Sequence, residues 1–286
     1  MKAAPFTHHA PKSLAEAVTL LSALAPEDGR ILAGGQTLVP MMAFRLARPR
    51  HVIDINGIPD LGNISIEAGA MSIGATVRHS AFERPYPGSG QLGLLLANVV
   101  RNIAHAPIRS RGTFCGSVAN SDPASEWCLV STTVGADIVL ASVRGERVVK
   151  ASDFYTGTMA NLLADDEIIA KIRIPLLPDD THFGFHEVSR RKGDFAMAAC
   201  LAIYRPLNGK ALDPRIGLGG VEATPKRVAA AEESLRGGII GTELFRQVAS
   251  VAMNSIEPLD DEELPGHYRR ELAQAVVERA LEGSVA

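Results

Sequence analysis

The spacing of apolar residues predicts an amphipathic helix near the N-terminus. Apolar side chains recur at helical spacing through residues 14–21. Ser13 and Glu16 have the S-x-x-E spacing of a capping box, which marks the start of a helix. Pro26 and Gly29 follow the periodic residues and predict the end of this helix.

Short apolar runs after this helix predict strands. Residues 30–33 form one run, which stops at Gly34-Gly35, so we interpret it as a strand leading into a glycine turn. Residues 51–55 form a second run, which ends at Asn56-Gly57. Further short strands are predicted around residues 64–66, 71–73, 136–142, 146–152 and 167–175.

The period changes to that of a buried helix between Leu92 and Ile103. A polar, glycine-containing segment without clear periodicity follows at 106–121, and long segments of this kind are often functional. Asp122-Pro123 then predicts a helix start, with Asp as N-cap and Pro at the first position, for a helix that runs to about Val134.

Prolines and acidic residues at 175–180 mark a boundary, after which the pattern changes. Alternating runs at 182–191, 195–206 and 215–223 predict antiparallel strands. Amphipathic helices are predicted over 229–235, 243–256 and 267–281. The chain thus passes from mixed α/β to a small sheet and then to helices.

Composition narrows the class of protein. With 286 residues, the chain is long enough for two domains, and 46% hydrophobic with 21% charged residues is typical of a globular protein. Its 29 basic and 32 acidic residues give a net charge of −3, which argues against DNA or RNA as a partner. No apolar stretch is long enough to predict a transmembrane helix, and the N-terminus lacks the apolar core of a secretory signal.

Cysteine content predicts a reducing, cytoplasmic location. Three cysteines are too few for a disulfide framework or for an all-cysteine iron–sulfur cluster in this chain alone. No metal site is predicted, because His182 and His186 have no obvious third ligand nearby in the sequence. The elbow motif of serine hydrolases is also absent from the sequence.

Glycine-rich segments are the best candidates for chemistry. In Ala33-Gly34-Gly35-Gln36-Thr37-Leu38, the missing Cβ atoms allow close backbone approach, and successive N–H groups can bind a phosphate. An ordinary tight turn is the alternative. Neither the Rossmann nor the P-loop spacing is present.

Two further segments carry similar chemistry. Residues 111–117 combine glycines with small hydroxyl side chains and continue to Asn120 and Asp122. The 190–195 segment places Lys192 and Phe195 near each other, for a phosphate or ring edge and for stacking, although a solvated charged turn is the alternative. Two separated glycine segments suit a long diphosphate cofactor, but they do not name it.

Taken together, these segments resemble the FAD-binding medium subunits of molybdenum hydroxylases, the family that includes carbon monoxide dehydrogenase medium chains and the flavin region of xanthine dehydrogenases. The matching segments lie in order over nearly the whole chain, at 31–38, 72–76, 108–117, 122–126, 167–175, 191–196 and 268–272.

The resemblance implies an α+β fold. Residues 1–177 would form a two-lobed α/β FAD-binding domain of the PCMH type, with lobes at about 1–57 and 58–177. Residues 178–286 would form a small antiparallel sheet with a helical C-terminal bundle, the domain type of carbon monoxide dehydrogenase flavoproteins.

The resemblance also implies a cofactor site. A first loop would hold the FAD diphosphate, a second loop its other side and the ribityl chain, and later residues the polar groups and the isoalloxazine. In that order the residues are Leu32, Ala33, Gly34, Gly35, Gln36, Thr37 and Leu38; Thr113, Cys115, Gly116 and Ser117; Asn120 and Asp122; and Leu162, Lys192 and Phe195. None of these residues is expected to be catalytic.

Two positions depart from the family pattern. Cys115 stands where a first glycine is commonest, which changes how closely the backbone can approach a cofactor. Phe195 stands where some relatives have tyrosine, so stacking would persist but a hydroxyl donor would be lost.

The function implied is that of an electron-transfer subunit. A large partner chain would hold the molybdenum cofactor and oxidise the substrate, and a small partner chain would hold two [2Fe–2S] clusters. Electrons would pass from these clusters to FAD here and then to NAD, a quinone or O2, within a heterotrimer or a dimer of heterotrimers. The alternatives are a self-contained FAD-dependent oxidoreductase and a flavin-free assembly subunit.

Overall fold

A computed structural model describes residues 2–262 and 264–285. Its first unit is a parallel sheet in the order β1-β3-β2, with α1 packed on it. The elements are β1 Thr7–His9, α1 Leu14–Leu24, β2 Gly29–Leu32, α2 Leu38–Ala43 and β3 His51–Asp54.

Ser13 is the N-cap of α1 as predicted, but the reciprocal bond of a capping box reaches Lys12 instead of Ser13. Ser13 Oγ accepts a hydrogen bond from the Glu16 N–H at 3.2 Å, and the Glu16 carboxylate accepts one from the Lys12 N–H at 2.7 Å. The apolar face of α1 contacts β2 and β3 and also strand 137–142 of the second unit. This helix therefore joins the first two units.

The second unit is built on an antiparallel sheet in the order β4-β5-β10-β6-β7. Its strands are β4 Ile64–Glu67, β5 Ala70–Gly74, β6 Asp137–Ser142, β7 Gly145–Lys150, the small pair β8 Tyr155–Gly157 and β9 Ala160–Asn161, and β10 Ile168–Pro175. Its helices are α3 Gly90–Val99, α4 Ala106–Arg109, α5 Phe114–Asn120, α6 Glu126–Val134 and α7 Ala151–Phe154.

Two expectations for this unit were wrong. The second cofactor segment, expected as a loop at 113–117, instead starts helix α5. The next helix does not start at Asp122-Pro123, because the Asp122 carboxylate accepts from the Ala124 N–H at 2.9 Å and turns the chain. Ser125 is the N-cap instead, and its hydroxyl accepts from the Cys128 N–H.

The third unit is an antiparallel sheet in the order β11-β12-β13-β14. The elements are β11 His182–Val188, β12 Ala198–Leu207, β13 Lys210–Gly219, β14 Lys226–Arg227, α8 Ala229–Leu235, α9 Thr242–Asn254 and α10 Gly266–Gly283. The predicted order of mixed α/β, small sheet and helices is confirmed.

Strand β12 is apolar at almost every position because both of its faces are buried. Ala199, Leu201 and Ile203 pack toward the core of the second unit, while Cys200 and Tyr204 pack toward α9 and α10. The sequence of a strand that is buried on both faces is a continuous run of apolar residues. The sheet thus fastens the helical part to the second unit.

Gly184 on β11 permits the closest approach of α10 to this sheet, because a Cβ there would overlap the Ala280 carbonyl oxygen. We expect Gly184→Ala to push α10 outward and to lower the free energy of unfolding by about 1–3 kcal/mol. Urea denaturation checks this. Gly283→Ala is the control, since no atom lies within 4 Å of its added Cβ. Equal stability of the two variants would contradict the prediction.

Candidate functional site

The glycine turn after β2 lies at the edge of the parallel sheet where β3 also ends. Strands β2 and β3 are parallel neighbours with Leu32 opposite Asp54, so the residues that follow each strand meet. Asn56 Nδ2 donates to the Ala33 carbonyl at 2.8 Å, and the Asn56 N–H donates to the Asp54 carboxylate at 2.9 Å. These bonds fix the turn.

Several N–H groups of this turn are free to bind a ligand. Within residues 2–262 and 264–285, the backbone N–H groups of residues 34–37 have no hydrogen-bond acceptor. Gly35 has φ +71°, a conformation that favours glycine. The first predicted segment therefore presents successive unpaired donors, as an anion-binding turn does.

The segment 111–113 forms the opposite wall. A Cβ on Gly34 would lie 2.7 Å from both the Arg111 carbonyl oxygen and the Gly112 Cα, so the two backbones are in direct contact. Arg78 donates to the Arg111 carbonyl, and its other guanidinium nitrogen donates to Asn56 Oδ1 at 2.6 Å. Arg78 thereby links both walls.

Beside this contact lies a cleft of about 490 Å³ whose charged lining residues are two arginines and one aspartate. It is lined by residues 32–36, by Val39 and Pro40 of α2, and by Asp54, Asn56, Arg78 and Arg111. Burial and the nearby Arg111 lower the pKa of Arg78. Burial alone would raise the pKa of Asp54, but hydrogen bonds from Asn56 and the proximity of His8 hold it below its usual value.

The second predicted segment begins α5 and is not a loop as expected. Thr113 is the N-cap, and its hydroxyl accepts from the Gly116 N–H at 3.0 Å, so this hydroxyl already has a structural role. Ser117 and Asn120 are half-buried within the helix. A helix forms here because Thr113 caps its first turn, whereas the glycine-rich composition alone does not predict a helix.

Cys115 points away from the cleft. Its thiol is buried and lies 3.5 Å from the Ile73 carbonyl and 3.6 Å from the Gly74 carbonyl, which both belong to β5. Burial raises the pKa of this thiol, so it is not a nucleophile. Cys115 stands where the family commonly has a glycine. Its side chain faces β5 and does not enter the cleft.

Buried carboxyl groups lie where α6 meets the third unit. Glu126 is buried at the first position of α6, next to Ser125, whose hydroxyl lies 2.7 Å from that of Ser117. Glu187 on β11 has a buried Oε2 with no hydrogen-bond partner within the described residues. Burial and the nearby Glu187 raise the pKa of Glu126 to about 8, and burial raises that of Glu187 to about 7.

The remaining predicted site residues lie on two segments, one beside the end of α5 and one beside the start of α4. Leu162 is 44% exposed and follows Asn161, whose amide donates to the Ala119 carbonyl and the Ser121 hydroxyl at the end of α5. Lys192 and Phe195 are exposed and flank Gly193, which packs against Ala104 and His105 just before α4.

Comparison with known families decides the class of protein. Residues 4–177 match the model described as FAD binding domain in molybdopterin dehydrogenase, and residues 183–284 match the CO dehydrogenase flavoprotein C-terminal domain. The chain belongs to the flavoprotein subunits of the molybdenum hydroxylase family. The resemblance inferred from the sequence, the predicted fold class and the FAD cofactor are thereby confirmed.

Relatives and solved structures agree with this membership along the whole chain. The carbon monoxide dehydrogenase medium chain of Hydrogenophaga pseudoflava is 36% identical, with 96% of each chain covered. The caffeine dehydrogenase subunit beta of Pseudomonas sp. (strain CBB1) is 35% identical, covering 98% of this chain and 95% of that one.

The fold of this flavoprotein subunit is similar to solved structures. A carbon monoxide dehydrogenase structure from Hydrogenophaga pseudoflava has a TM-score of 0.93 at 36% identity and covers 100% of this chain and 99% of that one. Quinoline 2-oxidoreductase from Pseudomonas putida 86 has a TM-score of 0.93 at 33% identity and covers 99% and 98%.

Two further features were considered for the described residues, a metal-binding cluster and a membrane-spanning helix. Over 2–262 and 264–285, no cluster of three or more His, Cys, Asp or Glu side chains is placed to hold a metal ion. Across the same residues, no helix is both long and apolar enough to cross a membrane.

Sequence reasoning missed several residues of the flavoprotein's cleft. Asp54, Asn56 and Arg78 line it, although none belongs to the predicted glycine segments. A signal existed for both residues, because Asp54 lies near the end of the predicted strand 51–55 and Asn56 directly follows that strand. Arg78 and the buried Glu126 lacked such a signal, since their roles depend on contacts distant in sequence.

The raised pKa of Glu126 predicts a pH-dependent stability. A carboxyl whose folded pKa of about 8 exceeds its usual value of 4.5 stabilises the fold below that lower value, and this contribution is lost as pH rises through 8. Between pH 4.5 and about 8, the free energy of unfolding of the wild type should fall by up to about 1.4 kcal/mol per pH unit. We expect this fall to be absent in Glu126→Gln.

Urea denaturation between pH 5 and pH 8, followed by the fluorescence of the single tryptophan, measures this difference. The exposed Glu146→Gln is the matched control and should keep the wild-type pH profile. Parallel profiles for wild type and Glu126→Gln would show that the prediction is wrong.

Proposed function

We propose that this subunit binds FAD in the cleft between residues 33–37 and 111–113 and transfers electrons within a heteromeric molybdenum hydroxylase. One observation carries the proposal: segments about 75 residues apart meet as a cleft that combines free backbone donors with the guanidinium groups of Arg78 and Arg111. Such donors suit a diphosphate.

In this proposal, the first wall holds the diphosphate through the N–H groups of residues 34–37, with Leu32, Ala33 and Leu38 beside them. Gly116 and Ser117 approach the other side, as do Thr113 and Cys115 through their backbone, since their side chains face inward. Asn120 and Asp122 lie near polar groups of the cofactor, and Leu162, Lys192 and Phe195 face or flank the isoalloxazine.

The chain's own residues bind and orient the cofactor, and no side chain is proposed as an acid or base on substrate. Bound FAD supplies a carrier that can exchange electrons singly or as a pair. Arg78 and Arg111 balance the negative charge of the diphosphate. Residues 1–177 form the FAD-binding domain of the proposal and residues 178–286 the C-terminal domain.

The proposed partners are a large chain with the molybdenum cofactor and a small chain with two [2Fe–2S] clusters, in a heterotrimer or a dimer of heterotrimers. Electrons enter from the small chain and leave to NAD, a quinone or O2. The names of the relatives, which are medium chains and subunits, support an assembly. The free, buried Cys115, Cys128 and Cys200 suit a reducing cytoplasm.

An exposed surface beside the cleft supports a partner chain. Phe44 and Leu46, just after α2, are 66% and 76% exposed. Between them Arg45 has φ +59°, a left-handed conformation that glycine usually adopts at the end of a helix. In such helix ends the next apolar residue usually packs back against the helix. Here Leu46 faces outward, and residues 29–53 contain four arginines and no carboxylate. Apolar side chains with a basic rim suit a protein contact.

The native complex, purified from its source, tests the proposal. We expect flavin absorbance that is released as FAD on denaturation, iron–sulfur absorbance, and two partner chains identified by mass. A yellow single chain that oxidises substrate alone would contradict the subunit role. A colourless native complex would contradict FAD binding and leave the assembly role.

Gly34→Ala tests the cleft. The added Cβ would meet the backbone of residues 111 and 112 at 2.7 Å and separate the walls, so we expect FAD affinity to fall at least about tenfold, or 1.4 kcal/mol. Flavin content per chain and FAD titration measure this. Gly57→Ala is the control at the same sheet edge, because its Cβ meets only the Lys12 Nζ at 3.8 Å. Unchanged affinity in Gly34→Ala would exclude this cleft.

A further inference from the structure

His79 lies buried behind the 111–113 wall of the cleft and has a defined tautomer. Its Nδ1 accepts a hydrogen bond from Trp127 Nε1 at 2.8 Å, so the ring carries its proton on Nε2 when it is neutral. Burial, with the positive charges of Arg109 and Arg78, lowers the pKa of His79 to about 4. The ring is therefore neutral near pH 7.

The other edge of the imidazole rests on Gly112. A Cβ at this glycine would lie 2.5 Å from His79 Nε2 and 2.6 Å from its Cδ2. The His79 N–H also donates to the Gly112 carbonyl at 3.0 Å. Both the ring and the backbone of His79 thus fix the position of Gly112.

These contacts form a column of residues that reaches the 33–37 turn. Trp127 is held by Phe114, stacked at 4.6 Å between ring centroids, and by Phe82 at 5.5 Å. Trp127 orients His79, His79 supports Gly112, and the Gly112 Cα lies against Gly34 on the opposite wall. A displacement of the imidazole would therefore change the separation of the walls.

We propose that His79 is a positioning residue for the FAD cleft, in which the imidazole, oriented by Trp127, sets the distance between the 111–113 backbone and the 33–37 turn. The inference rests on the proposed function, because it concerns the same cleft. A purely structural role would affect stability without a specific effect on cofactor binding.

Two substitutions of His79 separate these roles. In His79→Asn, the side-chain oxygen can take the place of Nδ1 as acceptor for Trp127, whereas His79→Leu fills similar space without an acceptor. We expect His79→Leu to weaken FAD binding at least about tenfold and to alter the visible circular dichroism of the bound flavin. His79→Asn should retain affinity within about threefold. FAD titration of the deflavinated native complex measures both.

Two further variants sharpen the test. Gly112→Ala displaces the ring from the other side and should reproduce the His79→Leu loss, with little additional loss in the double variant. Ile138→Ala is the control, because Ile138 is buried on β6 in the same hydrophobic core but belongs to none of the contacts of the column. It should lower the melting temperature while FAD affinity stays near that of wild type.

The proposal is overturned if His79→Leu binds FAD as wild type does, or if affinity in all variants, Ile138→Ala included, simply follows the melting temperature. Failure of the proposed function looks different, since the wild-type complex would then bind no FAD. That result would overturn the role of His79 together with the cleft.

Discussion

The contact between Gly34 and the backbone of residues 111–113 is the constraint on which the rest of the structure depends. The turn that carries Gly34 follows a strand of the parallel sheet, while residues 111–113 belong to the unit built on the antiparallel sheet. Their backbones touch because Gly34 has no Cβ, which would otherwise lie 2.7 Å from the opposite wall. The cleft therefore exists only where the first two units meet.

Electrostatics then gives this cleft its chemical character. The chain has a net charge of −3, yet Arg78 and Arg111 line the cleft beside unpaired backbone donors. The carboxyl groups of Glu126 and Glu187 lie near each other outside the cleft, where burial favours their neutral, protonated form.

The third unit stabilises the site from behind without lining the cleft. Its central strand β12 is buried on both faces, between α6 on one side and the C-terminal helices on the other. Helix α6 also carries Trp127, which hydrogen-bonds to His79. Packing of the C-terminal part and the geometry of the cleft are thus connected through one helix.

Most local elements, the order of the units and the family could be inferred from the amino-acid sequence. The N-cap at Ser13, the alternating strands and the glycine segments depend on near neighbours or on motifs, so they can be recognised without coordinates. Tertiary structure alone decided that Ser125 and not Asp122 caps α6, that the Cys115 thiol faces β5, and that Arg78 and His79 hold a backbone more than 30 residues away. Such contacts depend on which surfaces meet on folding, and no local periodicity records them.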